Sequence, residues 1–172
     1  MVIWIIGKFA SGKTFLGKKL YNVLKFNCPN IVFLDGDLLR IAISKDLGHS
    51  KEDRYISEER RSKLSKILLD QGIHVIMCGI SNEPDIREWN LKNITDYLEI
   101  YLKTDKKTLY GRDPKGIYKN YFKGEINNVV GEDIKFNKPI APWMTIDNNS
   151  DNNSKKIIDS IVLKLKKMNI IF

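Results

Sequence analysis

The chain has only two cysteines, Cys28 and Cys78, in 172 residues. Their spacing fits neither a disulfide framework nor a metal cluster, so two buried thiols in a reducing compartment are expected. Long apolar runs are also missing. None approaches the roughly 20 residues needed to cross a bilayer, which points to a cytoplasmic protein without membrane contact. The opening segment 2–6 is short and turns polar at once, so it reads as a buried strand rather than a secretory leader. Internal repeats are lacking too. What remains is one compact domain over residues 1–172, with 42% apolar residues to build its core.

Arginine is scarce as well. The net charge of +8 is carried almost wholly by lysine, and the arginines are Arg40, Arg54, Arg60, Arg61, Arg87 and Arg112. Where lysine is the default cation, an arginine marks a need for its planar, bidentate fork. Arg40, Arg54 and Arg112 stand beside other polar signals and are expected to contact phosphate or nucleotide. Arg60, Arg61 and Arg87 are expected on the solvated surface. The lysines are spread along the chain. The one dense run, 155–167, has helical apolar spacing at Ile158, Ile161, Val162 and Leu165, so its charges form an outer face. Stable nucleic-acid binding is not expected. A nucleic-acid-processing protein remains the alternative from another class.

Short apolar runs predict strands over 2–6, 31–34, 73–77, 97–102 and 143–146. Helical spacing predicts helices over 14–24, from a Ser50 cap to about residue 69, and over 83–91, 106–111 and 155–167. Residues 112–131 are rich in glycine and lysine and have no strong period. The polar run 147–153 links the last strand to the last helix. Strands alternating with helices predict an α/β fold of three layers, a central parallel five-stranded sheet covered on both faces.

Between the first strand and the first helix lies Gly7-Lys8-Phe9-Ala10-Ser11-Gly12-Lys13-Thr14, a complete G-x-x-x-x-G-K-[ST] motif. Such a loop turns backbone N–H groups inward around the phosphates of ATP or GTP, and the helix that follows adds its positive end. The candidate nucleotide contacts are Gly7, Ala10, Ser11, Gly12, Lys13, Thr14 and Phe15. Lys13 reaches the β- and γ-phosphates, and the Thr14 hydroxyl binds Mg²⁺. The second strand ends in Leu34-Asp35-Gly36-Asp37, with Arg40 one turn later. Residues past a strand's carboxyl end line the ligand crevice of such a sheet. Two carboxylates there have separable tasks: one holds Mg²⁺ through water, the other orients and deprotonates an acceptor hydroxyl. A turn followed by a helix cap is the plainer alternative.

A resemblance then becomes specific. Asp35-Gly36-Asp37-Leu38-Leu39-Arg40, Lys45-Asp46-Leu47-Gly48, Glu52-Asp53-Arg54 and Arg112-Asp113-Pro114-Lys115-Gly116-Ile117-Tyr118-Lys119 resemble adenylylsulfate (APS) kinases in order and spacing, from residue 2 to residue 146. The resemblance implies a P-loop kinase that phosphorylates the ribose 3′-hydroxyl of a small nucleotide bearing a 5′ anhydride. ATP would be the donor, Mg²⁺ the metal, and a homodimer the assembly. It further implies Asp37 as base and Asp35 as a water-mediated Mg²⁺ partner beside Thr14. Arg40 and Arg54 would lie at the acceptor's 5′-phosphate end, and Arg112 against the ATP adenine. Lys115 and Lys119 would belong to a mobile lid over about 112–131. Ile80 and Ser81 match the family's Ile-Ser-Pro-Tyr segment, where Asn82 and Glu83 replace proline and tyrosine.

The departures gather at the acceptor base. APS kinases sandwich adenine between two phenylalanines, and His49 and Val129 occupy those positions here; Ser57 replaces a nucleotide-contacting asparagine. Stacking is worth roughly 1–3 kcal/mol per base, so losing two faces points to a changed base. Tyr121 and Phe122, in the lid, are candidates for gripping it from another side. The pattern is similar to the branch of the family that phosphorylates cytidine diphosphoramidate in capsule modification. An APS kinase making 3′-phosphoadenylylsulfate is the alternative. A nucleotide-gated switch is excluded, because no guanine-reading Asn-Lys-x-Asp motif occurs.

Overall fold

The computed structural model describes residues 1–150 and 154–170. Five strands form one parallel sheet: β1 (Val2–Ile6), β2 (Ile31–Asp35), β3 (His74–Gly79), β4 (Tyr97–Lys103) and β5 (Met144–Asp147), in the order β2-β3-β1-β4-β5. All five expected strands are present, with ends shifted by one or two residues. Residues 151–153 of the linking polar run lie outside the described residues.

Alternate residues of β1 feed the two faces of the sheet, as the period of two requires. Ile3 and Ile5 pack with Leu16, Leu20 and Leu24 of α1 (Lys13–Leu24) and with Ile158, Ile161 and Leu165. Val2, Trp4 and Ile6 pack on the opposite face with Val75 and Met77, and Leu68, Leu69 and Trp89 close over them. Both faces are therefore covered, which is why all five residues of β1 are buried. Cys28 and Cys78 are free, buried thiols, as expected.

Two helices were not anticipated. The first, α2 (Gly36–Ile43), begins on the residues read as a strand end and turn, because the Asp35 side chain caps it by accepting the Asp37 N–H at 2.9 Å. Next come α3 (Lys51–Asp70), capped by Ser50, α4 (Pro84–Asn93) and α5 (Lys106–Arg112). The second unanticipated helix, α6 (Ile117–Phe122), lies inside the glycine- and lysine-rich segment, where its one buried side chain, Tyr118, is too little to set a period. The chain closes with α7 (Ser154–Lys167).

Strand β1 lies between β3 and β4, so the chain crosses from one half of the sheet to the other around it. Such a switch opens a crevice at the carboxyl ends of the strands.

Candidate active site

A cavity of about 590 Å³ occupies that crevice. The loop from β1 to α1 forms one wall. Ala10 and Gly12 take left-handed backbone angles, φ 58° and 91°. A Cβ on Gly12 would come 2.8 Å from Asn148 Nδ2, and one on Gly7 2.5 Å from Ser11 Oγ, so both positions require glycine. Lys13 Nζ donates to the Lys8 carbonyl at 2.6 Å. Burial lowers the pKa of Lys13 to about 8, with Cys78, Asp37 and Asp35 opposing the shift. Thr14 Oγ1 donates to Asp35 Oδ2 at 2.6 Å. One carboxylate thus caps α2 through Oδ1 and reaches the phosphate loop through Oδ2.

A hydroxyl and a carboxylate side by side fit Mg²⁺, which takes hard oxygen ligands and is usually held by one or two carboxylates together with substrate phosphates. Among the described residues no group of three His, Cys, Asp or Glu side chains offers a rival metal site. Asp37, the second residue of α2, lines the cavity, where Lys115 pairs with it.

The opposite wall comes from α2 and α3. Arg40 donates to the carbonyls of Leu47 and Gly48. Arg54 donates to the His49 carbonyl at 3.1 Å and to the Asn128 carbonyl at 2.6 Å, tying α3 to the segment after α6. Burial lowers the pKa of Arg54, and repulsion from Arg40 and Arg61 adds to it. His49 borders the cavity, and its pKa is lowered by partial burial and by Arg40 and Arg54. Arg61 reaches under the β2–α2 corner. A Cβ on Gly36 would come 2.7 Å from its guanidinium, so the glycine between the two aspartates makes room for it. Ile80, Ser81, Arg112 and Phe15 complete the boundary. Arg112 donates to the Asn148 carbonyl at 2.9 Å.

Residues 1–147 match the adenylylsulphate kinase family. The chain belongs to that family. It is 41% identical over 167 residues to the cytidine diphosphoramidate kinase of Campylobacter jejuni, covering 95% of each chain. It is 35% identical over 176 residues to the adenylyl-sulfate kinase of Clostridium acetobutylicum, covering 99% of this chain and 85% of the relative. The structure of the Mycobacterium tuberculosis APS kinase in complex with AMPPNP and APS superposes with a TM-score of 0.85 at 26% identity, over 96% of both chains. The protein is thus a phosphotransferase of the APS kinase family, built on the three-layer α/β fold that the strand pattern predicts.

Within this APS kinase fold the expected site residues divide into two groups. Ala10, Gly12, Lys13, Thr14, Phe15, Asp35, Asp37, Arg40, His49, Arg54, Ile80, Ser81, Arg112 and Lys115 line a single cavity. Gly7 and Ser11 shape the phosphate loop from beneath. Three residues stand elsewhere. Val129, 2% exposed, packs with Leu109 and Tyr118 in a small core under the lid segment, and Val130 faces the cavity instead. Ser57 is buried inside α3, its carbonyl accepting from Arg61 Nε at 3.0 Å. Lys119 is exposed and is not one of the residues lining the cavity. Tyr121 and Phe122 do not line this cavity. They pack on each other at 5.6 Å between ring centroids, and Phe122 packs on Tyr110 at 5.1 Å.

The surface assignment of the arginines holds only for Arg60, which pairs with Asp46 at 2.6 Å in the open. Arg87 is buried and donates to the carbonyls of Ser81 and Asn137, at 3.2 and 2.8 Å. Arg61 is a cavity residue. The scarcity of arginine was a usable signal for both, since an arginine amid lysines marks a geometric need. Glu58 and Phe9 also line the cavity and were not anticipated. Phe9 was hidden in a variable position of the phosphate loop. Nothing in the local sequence singles out Glu58.

Proposed function

We propose that this enzyme transfers the γ-phosphoryl group of ATP to the ribose 3′-hydroxyl of cytidine 5′-diphosphoramidate. The observation that carries this reading is the asymmetry of the cavity. The groups for phosphate, metal and proton transfer line one space, whereas the acceptor side offers a neutral-leaning His49 where APS kinases stack a phenylalanine. The 41% identity to a cytidine diphosphoramidate kinase over nearly the whole of both chains supports the same acceptor. A product used in capsule modification follows from that acceptor.

In this reading Lys13 and the amides of the 7–14 loop hold the β- and γ-phosphates and stabilise charge as it shifts in transfer. Thr14 and Asp35 would hold Mg²⁺, which when bound neutralises the phosphate oxygens. Asp37 takes the proton of the 3′-hydroxyl as that oxygen attacks the γ-phosphorus, and the bond from the γ-phosphorus to the bridging oxygen breaks to release ADP. Lys115 pairs with Asp37. An incoming γ-phosphate competes for that ammonium and frees the carboxylate to act as base. Residues 112–131 serve as a lid that brings Lys115 to the phosphates and covers the acceptor. Arg40 and Arg54 hold the acceptor's anionic end, and Arg112 lies against the ATP adenine.

The second reading, an adenylylsulfate kinase, is favoured by the family match itself. Steady-state kinetics with ATP and Mg²⁺ on cytidine diphosphoramidate and on APS separate the two. The cytidine compound should have the higher kcat/KM, and equal or better use of APS would overturn the proposal. ATP consumption that depends on oligonucleotide rather than on either acceptor would favour a nucleic-acid enzyme. We further infer a homodimer working in the cytoplasm. No helix among the described residues is long and apolar enough to cross a membrane, and light scattering reads the assembly directly.

A further inference from the structure

The α3 wall of the cavity carries an arrangement that anion binding alone does not explain. Arg54, Glu58 and Arg61 are spaced by four and three residues, which places them on one helix face. All three line the cavity together with Arg40. Arg40 and Arg61 both disfavour the charged form of Arg54, so the three guanidiniums lie close enough to repel one another. Such convergence marks the seat of an anionic group. A carboxylate among them works against that purpose.

Glu58 is 2% exposed. Its Oε2 accepts the Asn82 backbone N–H at 3.1 Å, a donor that exists because residue 82 is not proline. Its Oε1 is buried with no hydrogen-bond partner among the described residues. Balancing the charge of Arg61 and Arg87 is the obvious structural role. Yet no hydrogen bond joins Glu58 Oε1 to either guanidinium: Arg61 Nε donates to the Ser57 carbonyl, and Arg87 donates to the carbonyls of Ser81 and Asn137. A buried carboxylate oxygen without a donor is costly. A ligand that brings one would remove that cost.

We propose that Glu58 accepts a hydrogen bond from an N–H group at the anionic 5′ end of the acceptor, and so selects an amidate terminus over an all-oxygen one. The inference rests on the reading of this cavity as a nucleotide acceptor site. A sulfate or phosphate terminus turns lone pairs toward Glu58. Burial raises the Glu58 pKa to about 7, against the pull of Arg61, and above that pH the ionised carboxylate meets them acceptor to acceptor. An amidate replaces one oxygen by NH₂ of nearly the same size, which can donate. The arginines take the remaining oxygens, Glu58 takes the N–H, and the Asn82 amide holds the carboxylate in place.

Four acceptors test this at about pH 8.5, above the raised pKa of Glu58: cytidine and adenosine, each as the 5′-diphosphoramidate and as the 5′-diphosphate. The wild type should prefer the amidate by roughly ten- to hundredfold in kcat/KM for whichever base it accepts, mostly through KM. Glu58→Gln, whose amide can donate as well as accept, should shrink the preference to within about threefold and leave the KM for ATP in place. Equal use of the diphosphate by the wild type overturns the proposal, as does an undiminished preference in a folded variant. If Glu58→Gln does not fold, the wild-type ratio decides alone. Adenosine compounds outrunning cytidine compounds, with the amidate preference intact, would refute the cytidine reading while leaving the role of Glu58 standing.

Discussion

The phosphate end of the cavity and the acceptor end are built in different ways. At the phosphate end, two short stretches, 7–14 and 35–37, meet, and much of the geometry is set by the backbone. Gly7 and Gly12 permit the loop, α1 begins at Lys13, and Asp35 caps α2 while touching Thr14. At the acceptor end, Arg54, Glu58 and Arg61 from α3 meet Ile80, Ser81 and Asn82 after β3 and Lys115 from the segment before α6. No two of these three stretches are neighbours in sequence. In the proposed reading, transfer chemistry rests on two short motifs, and acceptor choice on the packing of three separate stretches.

That contrast breaks most completely at Lys13. Lys13→Ala should remove measurable transfer with every acceptor while leaving a normal thermal melt, because phosphoryl transfer depends on charge placed at the phosphates. Substantial turnover in a folded variant would detach the loop from catalysis. Asp37→Asn comes next. It keeps the side chain's shape but cannot take the acceptor proton, so kcat should fall by roughly 10²–10⁴ with the KM for ATP little changed. A loss of less than about threefold would reduce Asp37 to a residue of the α2 first turn.

The same division explains what could be read from sequence. The five strands and the phosphate loop were legible because apolar runs of strand length alternate with helical spacing, and the glycine positions are fixed by backbone geometry. Helix α2 was not, since Asp-Gly-Asp after a strand signals a turn as readily as a cap. The inner face of α3 was not legible either. Its buried residues are Ser57, Glu58, Ser62 and Ser65, so no apolar stripe marks which side faces the protein. The acceptor wall lies on that face, and with it Glu58 and Arg61. Val129 lies off the cavity: the chain at 129–130 puts one valine in the small core with Leu109 and Tyr118 and the next in the cavity lining, an alternation that no helical or strand period in this segment announces.

Burial of Lys13 sharpens the comparison through pH. With its pKa lowered to about 8 by burial, the ammonium needed for the phosphates is present at pH 7 and is lost as pH rises through 8. ATP bound to the enzyme restores the charge, so binding should carry the proton uptake. The Kd for ATP should therefore weaken about tenfold between pH 7 and pH 9, whereas a lysine with its ordinary pKa would leave it flat over that range. A flat titration would mean that the lysine is better solvated than its position implies.

The smallest expected effect probes the acceptor end. Restoring both phenylalanines of the APS kinase pattern is not the clean test, because Val129 fills the core under the lid, and a larger side chain there should cost about 1–3 kcal/mol in packing. His49→Phe alone is cleaner, since His49 is exposed at the cavity edge and its side chain makes none of the hydrogen bonds that hold Arg54. One stacking face is worth roughly 1–3 kcal/mol per base, and an exposed loop with no second ring opposite should realise only part of it. A gain of about three- to tenfold in kcat/KM for APS is expected, most of it in KM because stacking holds ground and transition states alike. The cytidine compound should change less, since a smaller ring covers less of the phenylalanine. An equal gain for both bases would show that residue 49 adds affinity without reading the base, and selectivity would then rest on the α3 wall alone.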